Sequence, residues 1–115
     1  MKYSGSCHCG RIAFEVEGTI ERATQCNCSI CSKRGYLLWV GPRDSMKLLS
    51  PEENLSTYTF NQHRVKHRFC ATCGVAPFGE GADGKGRSTV AVNVRCLEGI
   101  DPAALQIDHF DGKSL

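Results

Sequence analysis

The sequence predicts a mainly β domain with only a few short helical turns, folded around cysteine metal sites. Its apolar segments are short and rich in β-branched and aromatic residues, and glycine or proline separates them. Segments with helical signals span only a few residues. Eight cysteines in 115 residues are far above ordinary usage, and they cluster in close groups. This clustering is typical of metal ligands rather than of scattered disulfides.

Length and composition predict one zinc-binding domain over residues 1–115, because a chain of this size builds one modest core. We find no N-terminal apolar segment with a cleavage site, so we expect a cytoplasmic protein with reduced thiols. A net charge of +2 is too mild to favour nucleic acid as a partner. No apolar run approaches the roughly 20 residues of a membrane span. The oligomeric state is left open.

The first quarter of the chain is predicted to hold two strands. Cys7-His8-Cys9-Gly10 is a pair of thiols followed by a glycine that permits a sharp turn. In residues 11–17 apolar side chains alternate with small or charged ones, as in a half-buried strand, and Gly18 ends the pattern. Residues 20–25 are expected to form a second strand that leads into a cysteine cluster.

That cluster, Cys26-Asn27-Cys28-Ser29-Ile30-Cys31, brings three thiols close together. Zinc binds thiolates in a tetrahedron, closed by four protein ligands in structural sites and left with an open position in catalytic ones. The run holds no fourth ligand, so the site is either open or closed by a distant residue. The candidates for a distant ligand are His8, Cys96 and His109. His8 lies between two other thiols, and in extended backbone its ring should point away from their metal.

The middle of the chain alternates turns and strands. The predicted order is a helical turn at 32–35 ended by Gly35, a strand at 36–40 closed by Gly41-Pro42, an ambiguous region at 43–50, a turn at 51–54, a strand at 55–60 and a hairpin loop at 61–63. The next strand, residues 64–69, alternates Val65, His67 and Phe69 with basic residues. This basic face is interpreted as a solvated strand face or charged edge, and the alternative is a stripe for an anionic ligand.

Cys70-Ala71-Thr72-Cys73-Gly74 ends that strand and is typical of a zinc knuckle, in which backbone N–H groups bond the thiolates. A redox C-x-x-C pair would instead open a helix, which Gly74 disfavours. Two pairs of thiols far apart in sequence favour a closed site with four thiolates, and we assign Cys7, Cys9, Cys70 and Cys73 to it. Such a site adds folding free energy that a small core lacks.

The last third is predicted to begin with a flexible connection at 79–86, which is rich in glycine but lacks P-loop spacing. Residues 88–96 form a strong strand pattern, and the lone Cys96 is interpreted as a small buried hydrophobe. Asp101-Pro102 predicts the start of one short helix. A final strand is expected at 107–110, followed by a turn at Asp111-Gly112.

In this order the motifs resemble the glutathione-dependent formaldehyde-activating enzyme / centromere protein V family. The resemblance rests on Gly5 to Gly10, Cys26 to Cys31, Phe69 to Gly74, Val92 to Leu97 and His109 to Gly112. It implies a β-tent of small antiparallel sheets. It also implies a structural zinc on Cys7, Cys9, Cys70 and Cys73 and a second, catalytic-type zinc on Cys26, Cys28 and Cys31, whose occupancy is left open.

The resemblance further implies a carbon–sulfur lyase that forms or cleaves S-(hydroxymethyl)glutathione, so the expected partner is a small thiol such as glutathione. Zinc in an open site can lower the pKa of a substrate thiol or polarise a carbonyl. Three thiolates leave the site with a net charge of −1, which favours the thiol role. Lys33, Arg34 and Arg95 are candidates for binding the substrate's carboxylates, and Asn93 for a hydrogen bond to it.

Two other functions are compatible with these residues. One is a non-enzymatic zinc-stabilised interaction module, which the centromere-protein branch of the family allows. The other is a thiol redox sensor at Cys26, Cys28 and Cys31, which would form a disulfide reversibly and release zinc. An open three-thiolate site favours the enzyme over both.

Overall fold

The computed structural model describes residues 1–114 and shows a mainly β protein, as the sequence predicts. Its strands are β1 Lys2–Ser6, β2 Ala13–Glu17, β3 Arg22–Cys26, β4 Leu38–Pro42, β5 Met46–Leu48, β6 Leu55–Tyr58, β7 Lys66–Cys70, β8 Phe78–Ala82, β9 Ser88–Asn93 and β10 Gln106–Phe110. One turn of α-helix, α1, spans Cys31–Arg34. Single 3₁₀ turns lie at Arg43–Ser45, Glu52–Asn54, Val94–Cys96, Pro102–Ala104 and Gly112–Ser114. Within residues 1–114, no helix is long and apolar enough to cross a membrane.

The strands form a three-stranded sheet, in the order β1-β2-β5, and a seven-stranded sheet, in the order β10-β3-β4-β9-β8-β7-β6. Neighbouring strands are antiparallel except β10 and β3, which are parallel. The two sheets share one core, in which the rings of Phe14 and Phe78 meet edge to face with centroids 5.9 Å apart. Gly5 lies opposite Phe14, and an added Cβ there would be 2.4 Å from the Phe14 ring. The core therefore requires glycine at position 5.

Several predicted elements match the structure closely. Gly35 ends α1 in the left-handed conformation with φ of 66°. The hairpin between β6 and β7 and the 3₁₀ turn at Glu52–Asn54 also lie where the sequence places them. Asp101 caps the turn at Pro102–Ala104 by accepting a hydrogen bond from the backbone N–H of Ala103. The strand predicted at 88–96 ends earlier, at Asn93, because Asn93 caps a 3₁₀ turn.

The prediction of a flexible connection over 79–86 is wrong in its first part. Phe78–Ala82 is the strand β8, paired on both sides with β7 and β9. Gly79 and Gly81 weaken a strand intrinsically, and this misled the sequence interpretation. Pairing on two sides outweighs that weakness, and the absent side chains leave room for Val65, which an added Cβ at either glycine would contact.

The basic face predicted over residues 64–69 is not a charged edge, and of its residues Arg64 and Lys66 are exposed, as in a solvated face, whereas Arg68 is not. β7 lies between β6 and β8, and the side chain of Arg68 is only 11% exposed. Its guanidinium pairs with Glu52 and, at 2.6 Å, with Glu80, which also accepts a hydrogen bond from Arg43 at 2.7 Å. Burial opposes the ionisation of Glu80, but the hydrogen bonds from Arg43 and Arg68 outweigh it and lower the pKa of its carboxyl. Glu80 is therefore an anion held between two cations.

We expect Glu80→Gln to lower the free energy of unfolding by about 2–3 kcal/mol, since it leaves two partly buried guanidinium groups without their shared anion. Urea unfolding of the metal-loaded protein at pH 7 measures this loss. Asp108→Asn is the control, because it breaks an exposed, solvent-screened pair with Arg22 that contributes little to stability. Equal losses in the two variants would show that the Glu80 network contributes nothing beyond a surface pair.

Candidate metal centres and the cavities beside them

Four cysteines from both sheets meet at one end of the molecule. Cys7 and Cys9 follow β1 of the smaller sheet, whereas Cys70 ends β7 of the larger one and Cys73 lies in the turn after it. The sulfur of Cys9 is 3.7 Å from that of Cys7 and 3.6 Å from that of Cys70. A tetrahedron with metal–sulfur bonds of about 2.3 Å has edges of about 3.8 Å. All four sulfurs lie within 4.8 Å of one another, so the four thiols could hold one metal ion.

Both halves of this four-cysteine cluster are similar turns. The backbone N–H of Cys7 donates to the carbonyl of Ile12, and that of Cys70 donates to the carbonyl of Val75. Each turn is closed by a glycine with positive φ, 85° at Gly10 and 81° at Gly74. In return, the N–H of Ile12 points at the sulfur of Cys7 at 3.3 Å. The backbone thus orients each thiol before any metal binds.

Backbone donors also favour ionised sulfur in this cluster. The N–H groups of Val75 and then Cys9 lower the pKa of Cys73 to about 6. The N–H of Cys73 is the main cause of the lowered pKa of Cys70. The N–H of Arg11 also favours the Cys9 thiolate, but burial and the neighbouring thiols outweigh it and raise the pKa of Cys9 to about 11. Since a thiolate is the form that ligates metals, ionising all four thiols would require a cation among them.

Three further cysteines form a second cluster where the chain passes from β3 to α1. Cys26 ends β3, Cys28 lies in the following loop, and Cys31 is the first residue of α1. Their sulfurs lie within 4.8 Å of one another, so they too could hold a metal ion. In residues 1–114 no fourth cysteine, histidine or carboxylate joins this group, so His8, Cys96 and His109 all lie outside it. The second cluster is open among the described residues.

The electrostatics of the second cluster call for a cation. Burial, followed by the neighbouring Cys28, raises the pKa of Cys31 to about 12. Burial also acts on Cys28, yet its pKa is lowered because the N–H and thiol of Cys31 and the thiol of Cys26 donate to it. The Cys28 thiolate therefore forms easily, whereas ionisation of Cys31 requires a positive charge to compensate it.

The C-terminal segment fixes the position of Cys26. The Asn27 side chain donates to Asp111 at 2.9 Å and accepts from the N–H of Lys113 at 2.9 Å. Gly112 packs directly on the cluster, where an added Cβ would be 2.7 Å from the Cys26 sulfur and 3.1 Å from the Cys28 Cβ. The sequence interpretation placed only a turn here, because nothing in the local sequence shows that Gly112 touches the cluster.

Cys31 lies between two cavities. The first, of about 330 Å³, has walls of mixed polarity and is lined by Gln25, Cys26, Asn27, Cys31, Ser32, Gly35, His109, Phe110 and Asp111. The second, of about 200 Å³, has mostly apolar walls and is lined by Cys31, Arg34, Tyr36, Leu38, Val65, His67, Ala76, Phe78, Gly79, Ala91 and Asn93. A molecule bound at the second cluster could extend into either cavity.

The predicted substrate-binding residues are divided by the fold. Arg34 lines the apolar cavity and also, with Lys33, a neighbouring groove that contains Tyr58, Phe60 and Phe69. Asn93 lines the apolar cavity, but its side chain already donates to the carbonyl of Ala76 and accepts from the N–H of Arg95. Arg95 lines a separate groove with Asp101 to Ala103, which none of the three clustered cysteines reaches.

Sequence reasoning did not single out Tyr36 and His67, which also face the apolar cavity. Burial, and after it the charge of Cys31, raises the pKa of Tyr36 to about 12. Burial and then Arg34 lower the pKa of His67 below its ordinary value near 6.5. Both side chains are therefore neutral at pH 7. Only the alternation of His67 with basic residues on β7 could have indicated its position.

The chain thus belongs to the class of small, mainly β proteins with cysteine clusters that could hold metal ions, one of four cysteines and one of three. The family description that matches the sequence is "Glutathione-dependent formaldehyde-activating enzyme", over residues 2–110. The chain belongs to this GFA family, as the resemblance of its motifs predicted. A protein of Rhodobacter sphaeroides with a known crystal structure is also similar. It is 32% identical, with a TM-score of 0.78, and the match covers 94% of this chain and 100% of that one.

Proposed function

We propose that the protein binds two zinc ions, a structural one on Cys7, Cys9, Cys70 and Cys73 and a catalytic-type one on Cys26, Cys28 and Cys31. Sets of thiolates select zinc over magnesium or calcium, and a four-thiolate set closes the zinc coordination shell. The three-thiolate set leaves one position for a ligand. The observation that supports this difference is that, among residues 1–114, no fourth ligand atom lies within 4.8 Å of all three sulfurs of Cys26, Cys28 and Cys31.

We further propose that the second site catalyses carbon–sulfur bond chemistry, joining a small thiol such as glutathione to an aldehyde or separating them again. Zinc bound there would lower the pKa of a thiol that occupies the open position. The chain's own residues position the reactants. Lys33 and Arg34 provide positive charge in the groove beside α1, where they could hold the carboxylates of a glutathione-like thiol.

The other residues around the second cluster differ in the roles that we propose for them. Tyr36, neutral and buried beside Cys31, limits the access of water to that side of the cluster. Asn93 connects β9 to the loop at Ala76 and keeps the wall of the cavity in place, which is a positioning role. Of the four candidate substrate-binding residues, Lys33, Arg34, Asn93 and Arg95, the last has the least support, because its groove lies apart from the cluster.

The test of this function is the rate at which formaldehyde and glutathione exchange with S-(hydroxymethyl)glutathione, measured by NMR exchange spectroscopy. We expect the zinc-loaded protein to accelerate both directions equally, since a catalyst leaves the equilibrium unchanged. Exchange no faster than in buffer, for protein shown to carry two zinc ions, would contradict the proposal.

Gly112→Ala is expected to weaken zinc binding at the second site by about 10–100-fold while the domain stays folded. Its new methyl group would displace Cys26 from the position required of a ligand. Competition with a chelator measures the affinity, and thermal unfolding checks the fold. Gly84→Ala is the matched control, because an added Cβ there meets nothing within 4 Å. An unchanged second-site affinity in Gly112→Ala would show that Cys26 is not a ligand.

A further inference from the structure

The apolar cavity beside Cys31 is larger than formaldehyde requires. Its volume is about 200 Å³, whereas one water molecule occupies about 30 Å³ and formaldehyde has only two heavy atoms. An apolar cavity of about 150 Å³ is sufficient to bind benzene in an engineered protein. The space therefore suits a ring or a branched hydrocarbon group.

The walls of the cavity suit the same kind of group. Leu38, Val65 and Ala91 supply hydrocarbon surface. Gly79 on β8 lies between β7 and β9, and because it has no side chain it takes up no space in the cavity. Cys31 provides the contact with the second cluster. Polar groups are few, and the guanidinium of Arg34 lies over the ring of Phe69, 5.6 Å from its centroid. A hydrocarbon group inside the cavity would thus meet few polar atoms that need hydrogen-bond partners.

We propose that this cavity binds the hydrocarbon group of an aromatic or branched aliphatic aldehyde, whose carbonyl carbon then meets the thiol at the second cluster. This inference rests on the proposed function and specifies its substrate class. In the reaction the thiol sulfur forms a bond to the carbonyl carbon and the C=O π bond breaks. Its electron pair moves to oxygen, which takes up the proton that the thiol loses. The product is a hemithioacetal, and no oxidant or reductant is involved.

Gly79 and Gly81 offer a matched pair of variants to test the cavity. They are two residues apart on β8, so an added methyl group lies on the same face of the strand. At Gly79 it would lie 3.5 Å from the Lys66 carbonyl oxygen and 3.9 Å from a Val65 methyl group, inside the cavity. Gly81 does not line the cavity, and an added methyl group there would lie 3.7 Å from the other Val65 methyl group and 3.9 Å from the Thr89 hydroxyl oxygen. Both contacts are ordinary, so both variants should fold.

Binding is measured with benzyl alcohol, which has the hydrocarbon group but cannot react, on the zinc-loaded protein by NMR titration. We expect saturable shifts at the amides of Val65, Gly79 and Ala91. Gly79→Ala should weaken binding by about tenfold or more, and Gly81→Ala should leave it unchanged. No saturable shifts, or equal effects of the two variants, would overturn the inference.

Rates of adduct formation with glutathione then separate this inference from the function on which it rests. We expect kcat/KM for benzaldehyde to be at least as high as for formaldehyde, and the ratio of the two to fall in Gly79→Ala. Acceleration with formaldehyde but not with benzaldehyde would overturn the inference and leave the proposed function intact. No acceleration with either aldehyde would overturn the proposed function, and with it the assignment of a substrate to this cavity, even if benzyl alcohol binds.

Discussion

Replacing Cys70 by serine is expected to unfold the protein at 25 °C. Cys70 is buried at the junction of the two sheets, and its thiol is one of four that we propose to hold a structural zinc. Structural zinc contributes about 10–16 kcal/mol of apparent binding free energy in zinc-finger peptides, comparable to the about 5–15 kcal/mol of stability of a whole domain. A 115-residue chain with one modest core cannot replace that contribution. Loss of amide dispersion in the NMR spectrum and of a cooperative thermal transition would report the unfolding.

Cys96→Ser is the matched control for this experiment. Cys96 is also partly buried and packs against the core, but it belongs to neither cluster. Its replacement should cost less than about 2 kcal/mol and leave the metal content unchanged. If Cys70→Ser melted no earlier than Cys96→Ser, the four-cysteine cluster would not be the structural metal site.

Cys28→Ser is expected to abolish the chemistry and spare the fold. Cys28 lies in the loop between β3 and α1, outside the buried core, so its loss should cost less than about 2 kcal/mol. With only two thiolates left, the second site should lose its zinc, and exchange of S-(hydroxymethyl)glutathione should slow by at least about a hundredfold. NMR exchange rates and thermal unfolding of the same sample measure both effects.

Two results would contradict this account of the second site. Exchange as fast in Cys28→Ser as in Cys96→Ser would place the chemistry elsewhere in the molecule. Unfolding of Cys28→Ser would mean that the second cluster also supports the fold, and the division between a structural and a catalytic-type site would fail. Reversible disulfide formation in the wild type, with loss of zinc, would instead favour the redox sensor.

Much of the fold could be predicted from the sequence because local signals and tertiary structure agree. Three such signals are local, since each depends only on residues close by in the sequence. They are the alternation in residues 11–17, the N-cap at Asp101 and the helix-ending Gly35. The strand β8 could not be predicted, because Gly79 and Gly81 have low strand propensity. They are held in a strand only by pairing with β7 and β9, which are separate segments of the chain. Likewise, the parallel pairing of β10 with β3 joins segments from opposite ends of the chain.

The two cysteine pairs and the cysteine triplet could also be predicted, because ligand spacing is a local property of the sequence. The joining of the two distant pairs followed from the four ligands that a closed zinc site requires. The surroundings of the clusters could not. Arg95 belongs to the Val92 to Leu97 motif, which is one of those that carry the family resemblance, yet it lines a groove apart from the second cluster. Arg68 belongs to a basic run but forms ion pairs with acidic residues from two other segments. Gly112 touches Cys26 only because β10 runs alongside β3.

The most direct test of the account is the zinc content of the reduced wild-type protein, determined by elemental analysis. Two zinc ions per chain are predicted, one of them lost in Cys28→Ser while Cys96→Ser retains both. One zinc ion per chain in all three proteins would contradict the account, because the Cys26, Cys28 and Cys31 cluster would then not be a zinc site.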